Sequence, residues 1–368
     1  MLKAIAAAAL AVLLGGSAAL AQEEAVRPAI PDDARIRTVV AKAVDDFIRP
    51  GYRDFHAAAG DLATRMESLC ATPSGQALAS ARHAFANAAA RWAHVEIVRA
   101  GPALQENRFE RILFYPDRKS TGLKQVQGLL ARPDEAATDV RNLPAKSVAM
   151  QGFGALEFIL AGTGNEALAT EKNGFRCRYG KAVARNIEGI AGELADLWDA
   201  PDGIQRAWKE PGPDNPLFRN EREAMTALLG FLVHGAEMVR DQRIETFYKG
   251  EDKPTFPRQA IFWRSGNTWT MIEGNLEGLQ DLVNASGMAD LLAEDLRSII
   301  GSVDFVLKSL LRVTGEMNPD IEAAVSDSAQ RQKLDFLLVN GRDLISRLND
   351  QYGGAIGLTS GFSFSDGD

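Results

Sequence analysis

Asp33 to Arg49 reads DARIRTVVAKAVDDFIR. Ile36, Val39, Val40, Ala43, Val44 and Phe47 recur at intervals of three and four, so they share one face of a helix while charged residues fill the other. Pro50-Gly51 follows and is expected to end that helix. The same period continues outward. A second helix is expected from about Tyr52 to Cys70, broken by Thr72-Pro73-Ser74-Gly75. An Ala-rich helix follows from about Gln76 to Arg99 and stops at Gly101-Pro102. Alanine favours the helical backbone and lets neighbouring helices approach closely. Gly101 to Thr121 (GPALQENRFERILFYPDRKST) has no period but is too rich in apolar and aromatic residues for a free loop, and is expected to pack across a bundle end.

Helices are expected again near Lys124–Ala131, Ala145–Ala161 and Arg176–Trp198, then at about Asn220–Tyr248, Thr268–Ala285, Met288–Thr314 and Ser326–Asp350. No alternating run is long enough for a convincing strand, so the fold class is all-α. Asp199 to Pro216 is the densest Pro/Gly/Asp stretch and the candidate connecting segment, although the tryptophan-bearing apolar patches beside and within it warn of packing. The chain therefore divides into a leader (1–21), a helical part (31–198), a connecting segment (199–216), a second helical part (217–350) and a tail (351–368) expected to be loose. A weak echo links the halves. Phe114-Tyr115 before Val126-Gln127-Gly128-Leu129 is similar to Phe262-Trp263 before Leu276-Glu277-Gly278-Leu279, a hint of internal duplication that chance could also produce.

The N-terminus has the layout of a secretory signal peptide: Lys3, an apolar run from Ala4 to Leu14, then Ala19-Leu20-Ala21 before Gln22. Gly15-Gly16-Ser17 cuts the run well short of the ~20 residues a membrane span needs. Export to the periplasm, without a spanning segment, is the expectation. Two cysteines, Cys70 and Cys177, then face an oxidising compartment, which favours one disulfide over two separate buried thiols. Net charge is −8 with no Lys/Arg-rich tract, which argues against nucleic acid as a partner. No Gly-x-Ser-x-Gly elbow, P-loop or dinucleotide fingerprint is present, so nothing supports nucleophilic catalysis or nucleotide binding.

Trp92–Pro102 (WAHVEIVRAGP), Arg111–Asp117 (RILFYPD), Gly152–Leu160 (GFGALEFIL), Arg176-Cys177-x-Tyr179 opening a helix that ends in Trp198, and Ile272–Leu279 (IEGNLEGL) together resemble the imelysin family. Their order and spacing, rather than any one of them, carry the resemblance, which spans roughly Val39 to Asp350. It implies two lobes, each a four-helix bundle, with a ligand site between them. It further implies an association with bacterial iron uptake, and a grouping with metallopeptidases. The family's signature is a helical Gly-x-His-x-x-Glu, which here reads Gly152-Phe153-Gly154-Ala155-Leu156-Glu157. A histidine and a glutamate three apart share a helix face and can supply two metal ligands, whereas glycine supplies none. Metal-dependent hydrolysis at that position is thereby put in doubt, and the reading leans to a non-enzymatic protein.

Glu157 lies in an apolar helix and must be paired or face a polar cleft. It is read as a cleft residue or a structural ion pair, with Gly152 and Gly154 allowing close approach of backbone or ligand. Glu96, Arg99, Arg111 and Asp117, around the irregular segment, either pair with one another structurally or line a pocket for an anionic ligand. Asn275 belongs to a polar stretch, with Ser265 and Asn267, entering a helix of the second half. His234 and Glu237 share a helix face but lack the third ligand of a zinc site. With Glu157 they are the weak metal candidates. No cofactor is called for by the residues themselves; iron or another divalent ion is the candidate the resemblance raises. The leading expectation is a periplasmic ligand-binding or accessory protein of iron uptake. A metal-dependent peptidase and a helical scaffold docking to an outer-membrane receptor or transporter are the alternatives.

Overall fold

The computed structural model describes residues 30–359, and within them the fold is helical without strands. The leader expected at 1–21 lies outside the described residues. Helices run α1 Asp33–Lys42, α2 Arg49–Ala71, α3 Gly75–Val95, α4 Arg108–Ile112, α5 Thr121–Ala131, α6 Phe153–Ala161, α7 Phe175–Asp199, α8 Ile204–Lys209, α9 Glu221–Glu237, α10 Thr268–Ser286, α11 Ser298–Gly315, α12 Ile321–Ser326 and α13 Ser328–Ser346. In the first half α2 packs against both α3 and α7, and α6 against α7 and α3. In the second, α10 packs on α11, α11 on α13, and α13 on α9. The α3–α10 contact joins the two sets, and α1 crosses over to lie against α9. The buried apolar residues form one contiguous cluster.

The expected break at Pro50-Gly51 does not occur. Ala43–Ile48 winds as a π-helix and α2 begins directly after it, with Pro50 in its first turn. A proline is tolerated there because first-turn N–H groups need no intrahelical partner, and the wider π turn resets the register ahead of it. Gly51 stays inside the helix because α2 crosses the end of α3 there: a side-chain carbon at 51 would lie 3.1 Å from Val95 Cγ2. The α3 helix stops at Val95, sooner than expected. The helix expected from Ala145 begins only at Phe153, preceded by 3-10 turns through Pro144. The connecting segment is packed: Trp208 on α8 is buried against Trp198, Phe218 and Phe231. Nor is the start of the tail loose. Tyr352, Ala355 and Ile356 are buried, and the Tyr352 hydroxyl donates to Met288 O at 2.9 Å. Their aromatic and aliphatic area outweighs the turn-forming glycines beside them.

Cys70 and Cys177 are bridged, joining the end of α2 to the start of α7 across 107 residues. The rest of the Arg176-Cys177-x-Tyr179 run serves the same corner. Arg176 donates to the carbonyls of Phe158, Ile159, Gly162 and Thr163, satisfying the C-terminal end of α6. The Tyr179 hydroxyl donates to Met150 O at 2.7 Å, just ahead of α6. One short motif thus fixes both ends of the helix that carries Glu157.

Candidate functional site

A cleft of about 110 Å³ opens where α6 faces the segment before α10. The first half contributes Phe114, Tyr115 and Asp117 before α5, with Gly154 and Glu157 on α6. The second half contributes Arg258 to Arg264. Both aromatic pairs of the sequence echo, Phe114-Tyr115 and Phe262-Trp263, line this one cleft. Their following helices differ in use. A side-chain carbon on Gly278 would strike His94 O at 2.1 Å, whereas one on Gly128 would meet nothing.

Glu157 is buried, and its carboxylate spans the two halves. It accepts from Ser265 N–H at 3.1 Å and pairs with the Arg264 guanidinium at 3.4 Å. Burial pushes its carboxyl above the usual range, and Arg264 with the Ser265 N–H only partly offsets this. The segment presenting these donors is strained. Phe262 has φ +52°, rare for a bulky residue, and its ring is locked among Phe85 and Phe153. Its carbonyl accepts from the Ser265 and Asn267 N–H groups, holding the turn that aims Ser265 at Glu157. Arg264 lies 4.5 Å from the Trp263 ring centre and 5.5 Å from that of Phe158, while Arg258 lies 5.6 Å from Trp263 on its own account. Arg258 also donates to Glu322 Oε1 at 3.0 Å, so the two guanidiniums around this indole each share a carboxylate, and the wall is aromatic and rich in N–H donors.

One turn before Glu157, Gly154 is exposed, and a side-chain carbon there would meet nothing within 4 Å. Gly152 is different: a carbon there would sit 2.1 Å from Ile112 O, so its role is close backbone approach at the start of α6. Asp117 lines the cleft but commits both oxygens to the first N–H groups of α5, from Thr121, Gly122 and Leu123. Arg111 donates to Gln151 Oε1 and Asn186 Oδ1 below the cleft.

Glu96 and Asn275 are elsewhere, in a sealed network. Arg243 donates to Glu96 Oε1 at 2.7 Å, and Asn275 Nδ2 donates to the same oxygen at 2.8 Å and to Ala93 O. Arg243, Glu96 and Asn275 are all buried. Tyr115 connects network and cleft: Arg243 lies over its ring at 5.0 Å, and its hydroxyl is 3.0 Å from Thr246 Oγ1 and from Gln259 O. His234 and Glu237 pair at 2.9 Å, and His234 lines a different groove, with Arg99. The structure therefore does not bring Glu157 and His234 into one pocket.

Arg264 and Arg258, and Arg243 as the partner of Glu96, escaped the sequence reading. The aromatic echo marked Trp263, but no spacing could pair Glu157 with a residue 107 positions later. A metal of the kind the resemblance raises does not fit the donors present. Glu157 and Asp117 are engaged as described, and among the described residues no three or more His, Cys, Asp or Glu side chains gather to hold an ion.

The architecture defines an all-α protein whose cleft is closed by a carboxylate on one half and donors from the other. The Imelysin family model, which carries a peptidase-group label, matches residues 48–348, and the chain belongs to that family. The fold is similar to the crystal structure of an imelysin-like protein from Psychrobacter arcticum 273-4, with TM-score 0.75, 18% identity, and 90% of this chain and 99% of that one covered. It is also similar to a candidate iron-regulated protein A precursor from Parabacteroides distasonis ATCC 8503, with TM-score 0.73, 17% identity, and 89% and 96% covered. Among curated proteins, none matches the sequence.

Proposed function

We propose that the chain is an exported accessory protein of iron uptake that binds an anionic ligand, without catalysis, in the cleft between α6 and the 258–264 segment. The family and the iron-regulated structural relative support the iron connection. Export rests on the signal-peptide layout of residues 1–21, and no helix among the described residues is long and apolar enough to cross a membrane. The observation that carries the ligand class is the guanidinium–indole wall of Arg258, Trp263 and Arg264 beside the open Gly154 position. With so few free donors, the cleft is suited to iron that arrives already chelated, its anionic chelator meeting the arginines. Glu157 then serves to position Arg264 rather than to hold the ion.

The test compares ferric citrate with free zinc and free ferrous ion, by calorimetric titration of the mature chain alongside a peptidase assay. Ferric citrate is expected to bind, with Arg264→Ala weakening it about tenfold, in line with ~1.4 kcal/mol per tenfold change. Stoichiometric, tightly held free metal with metal-dependent peptide cleavage would replace this reading by the peptidase one. Binding of none of them, with capture of an outer-membrane receptor, would favour the scaffold.

A further inference from the structure

A second groove, remote in composition from the first, lies where the connecting segment crosses α9. Its volume is about 360 Å³, within the range of small-molecule sites. Trp208, Phe218 and Phe231 form an aromatic wall, with Phe218 at 4.8 Å and Phe231 at 5.2 Å from the Trp208 ring. Trp208 is 1% exposed, and its indole N–H is buried without an acceptor among the described residues. The Trp92, Trp198 and Trp263 indoles share this, so it marks close packing and not a ligand contact.

Arg99, Glu223, Thr226 and His234 are the polar residues of the groove's lining, and Glu223 Oε2 already accepts from the Arg219 N–H at 2.7 Å. His234 Nδ1 lies 2.9 Å from Glu237 Oε2, so the carboxylate holds a proton on Nδ1 and leaves Nε2 as the working nitrogen. That edge of the ring points back along α9 to Gly230, whose absent side chain would sit 3.8 Å from Nε2. Gly230 itself lines the groove, so the glycine exposes both floor and imidazole edge. Arg99 adds a cation to the same lining, 4.4 Å over the Phe109 ring and 3.8 Å from Glu110 Oε1, a separation that leaves it able to share a second carboxylate.

We infer that this groove binds a small aromatic carboxylic acid. The ring would lie against Phe218 and Phe231, which the buried Trp208 backs, and the carboxyl would meet His234 Nε2 and Arg99. An acid can offer either form to this corner of the groove: its O–H donates to Nε2, and its carboxylate carries the charge that the Arg99 guanidinium meets. An amide or ester of the same shape lacks this exchange and gains little from Arg99.

The mature protein is titrated calorimetrically with 1-naphthylacetate and with 1-naphthylacetamide. The acid should occupy one site per chain, with the amide at least tenfold weaker. Gly230→Leu should weaken the acid at least tenfold by filling the floor. The substituent's first carbon meets only the His234 ring, at ordinary contact distance, so the fold should hold. His234→Ala supplies a second reading with no added bulk and should erase most of the preference for acid over amide. Arg264→Ala, in the other cleft, should change nothing, which separates failure here from failure of the iron-chelate reading. Equal binding of acid and amide, binding of neither, or full acid binding by both groove variants overturns the inference.

Discussion

Two buried carboxylates, each paired with a guanidinium, link the early and late parts of the chain, and the pairs are built differently. At Glu96–Arg243 the side chains are 0% and 2% exposed, the contact is 2.7 Å, and Asn275 donates to the same oxygen. At Glu157–Arg264 the acid is 3% exposed but the arginine 21%, and the contact is 3.4 Å. The first pair has no route to solvent and reads as a clamp between α3, α10 and the turn after α9. The second opens on a cleft, and its arginine is shared among a carboxylate and two rings. In a low-dielectric interior a tight network rigidifies, even with Glu96 Oε2 left unpartnered among the described residues, while a looser pair at a mouth can exchange partners with a ligand. Tyr115, touching Arg243 on one side and the cleft on the other, is the physical link between them.

The frame common to both regions gives the largest expected effect. The Cys70–Cys177 bridge closes 107 residues, so Cys70→Ser with Cys177→Ser should cost about 4–5 kcal/mol in the chain-entropy account. Denaturant titration measures the total. Hydrogen exchange should show α6, behind Glu157, loosening more than α10, behind Glu96; uniform loosening would break the contrast. Next comes Arg243→Leu, which strands the Glu96 charge in the core and should cost about 3–5 kcal/mol. Arg264→Leu should cost only ~1 kcal/mol, because its charge is partly solvated and Glu157 can take up a proton. Equal losses in the two variants would erase the distinction between clamp and cleft.

The smallest effect is in pH. Glu157 has its folded pKa raised from 4.5, so the folded state holds the proton more tightly than the unfolded chain. Its contribution is fully present below 4.5 and is lost as pH rises through the folded value. Glu157→Gln should therefore gain on the parent protein as pH rises through that window. Thermal melts at stepped pH check this, and parallel curves would mean that Arg264 has already neutralised the burial cost.

What could be read along the chain was local. Three-and-four spacing places helices, and their all-α character needs no tertiary knowledge, because an amphipathic face is written within one turn or two. Glu157 and Gly154 were legible as a pair for the same reason, being three apart on α6. The Arg176-Cys177-x-Tyr179 run could be seen but not understood, since its partners are carbonyls of another helix. Pro50 misled, because whether a proline ends a helix depends on the turn ahead of it, and a π turn has no sequence period.

Sequence alone thus settled the helical class, made the cysteine pair plausible, and marked the glutamate on α6. Only the folded chain decided which buried acid would be sealed by Arg243 and which would open beside Arg264, and that the two aromatic pairs would share a cleft. The reason is range: helix formation is governed by neighbours three or four residues away, whereas a buried charge is governed by whatever the fold carries to within a few ångströms of it.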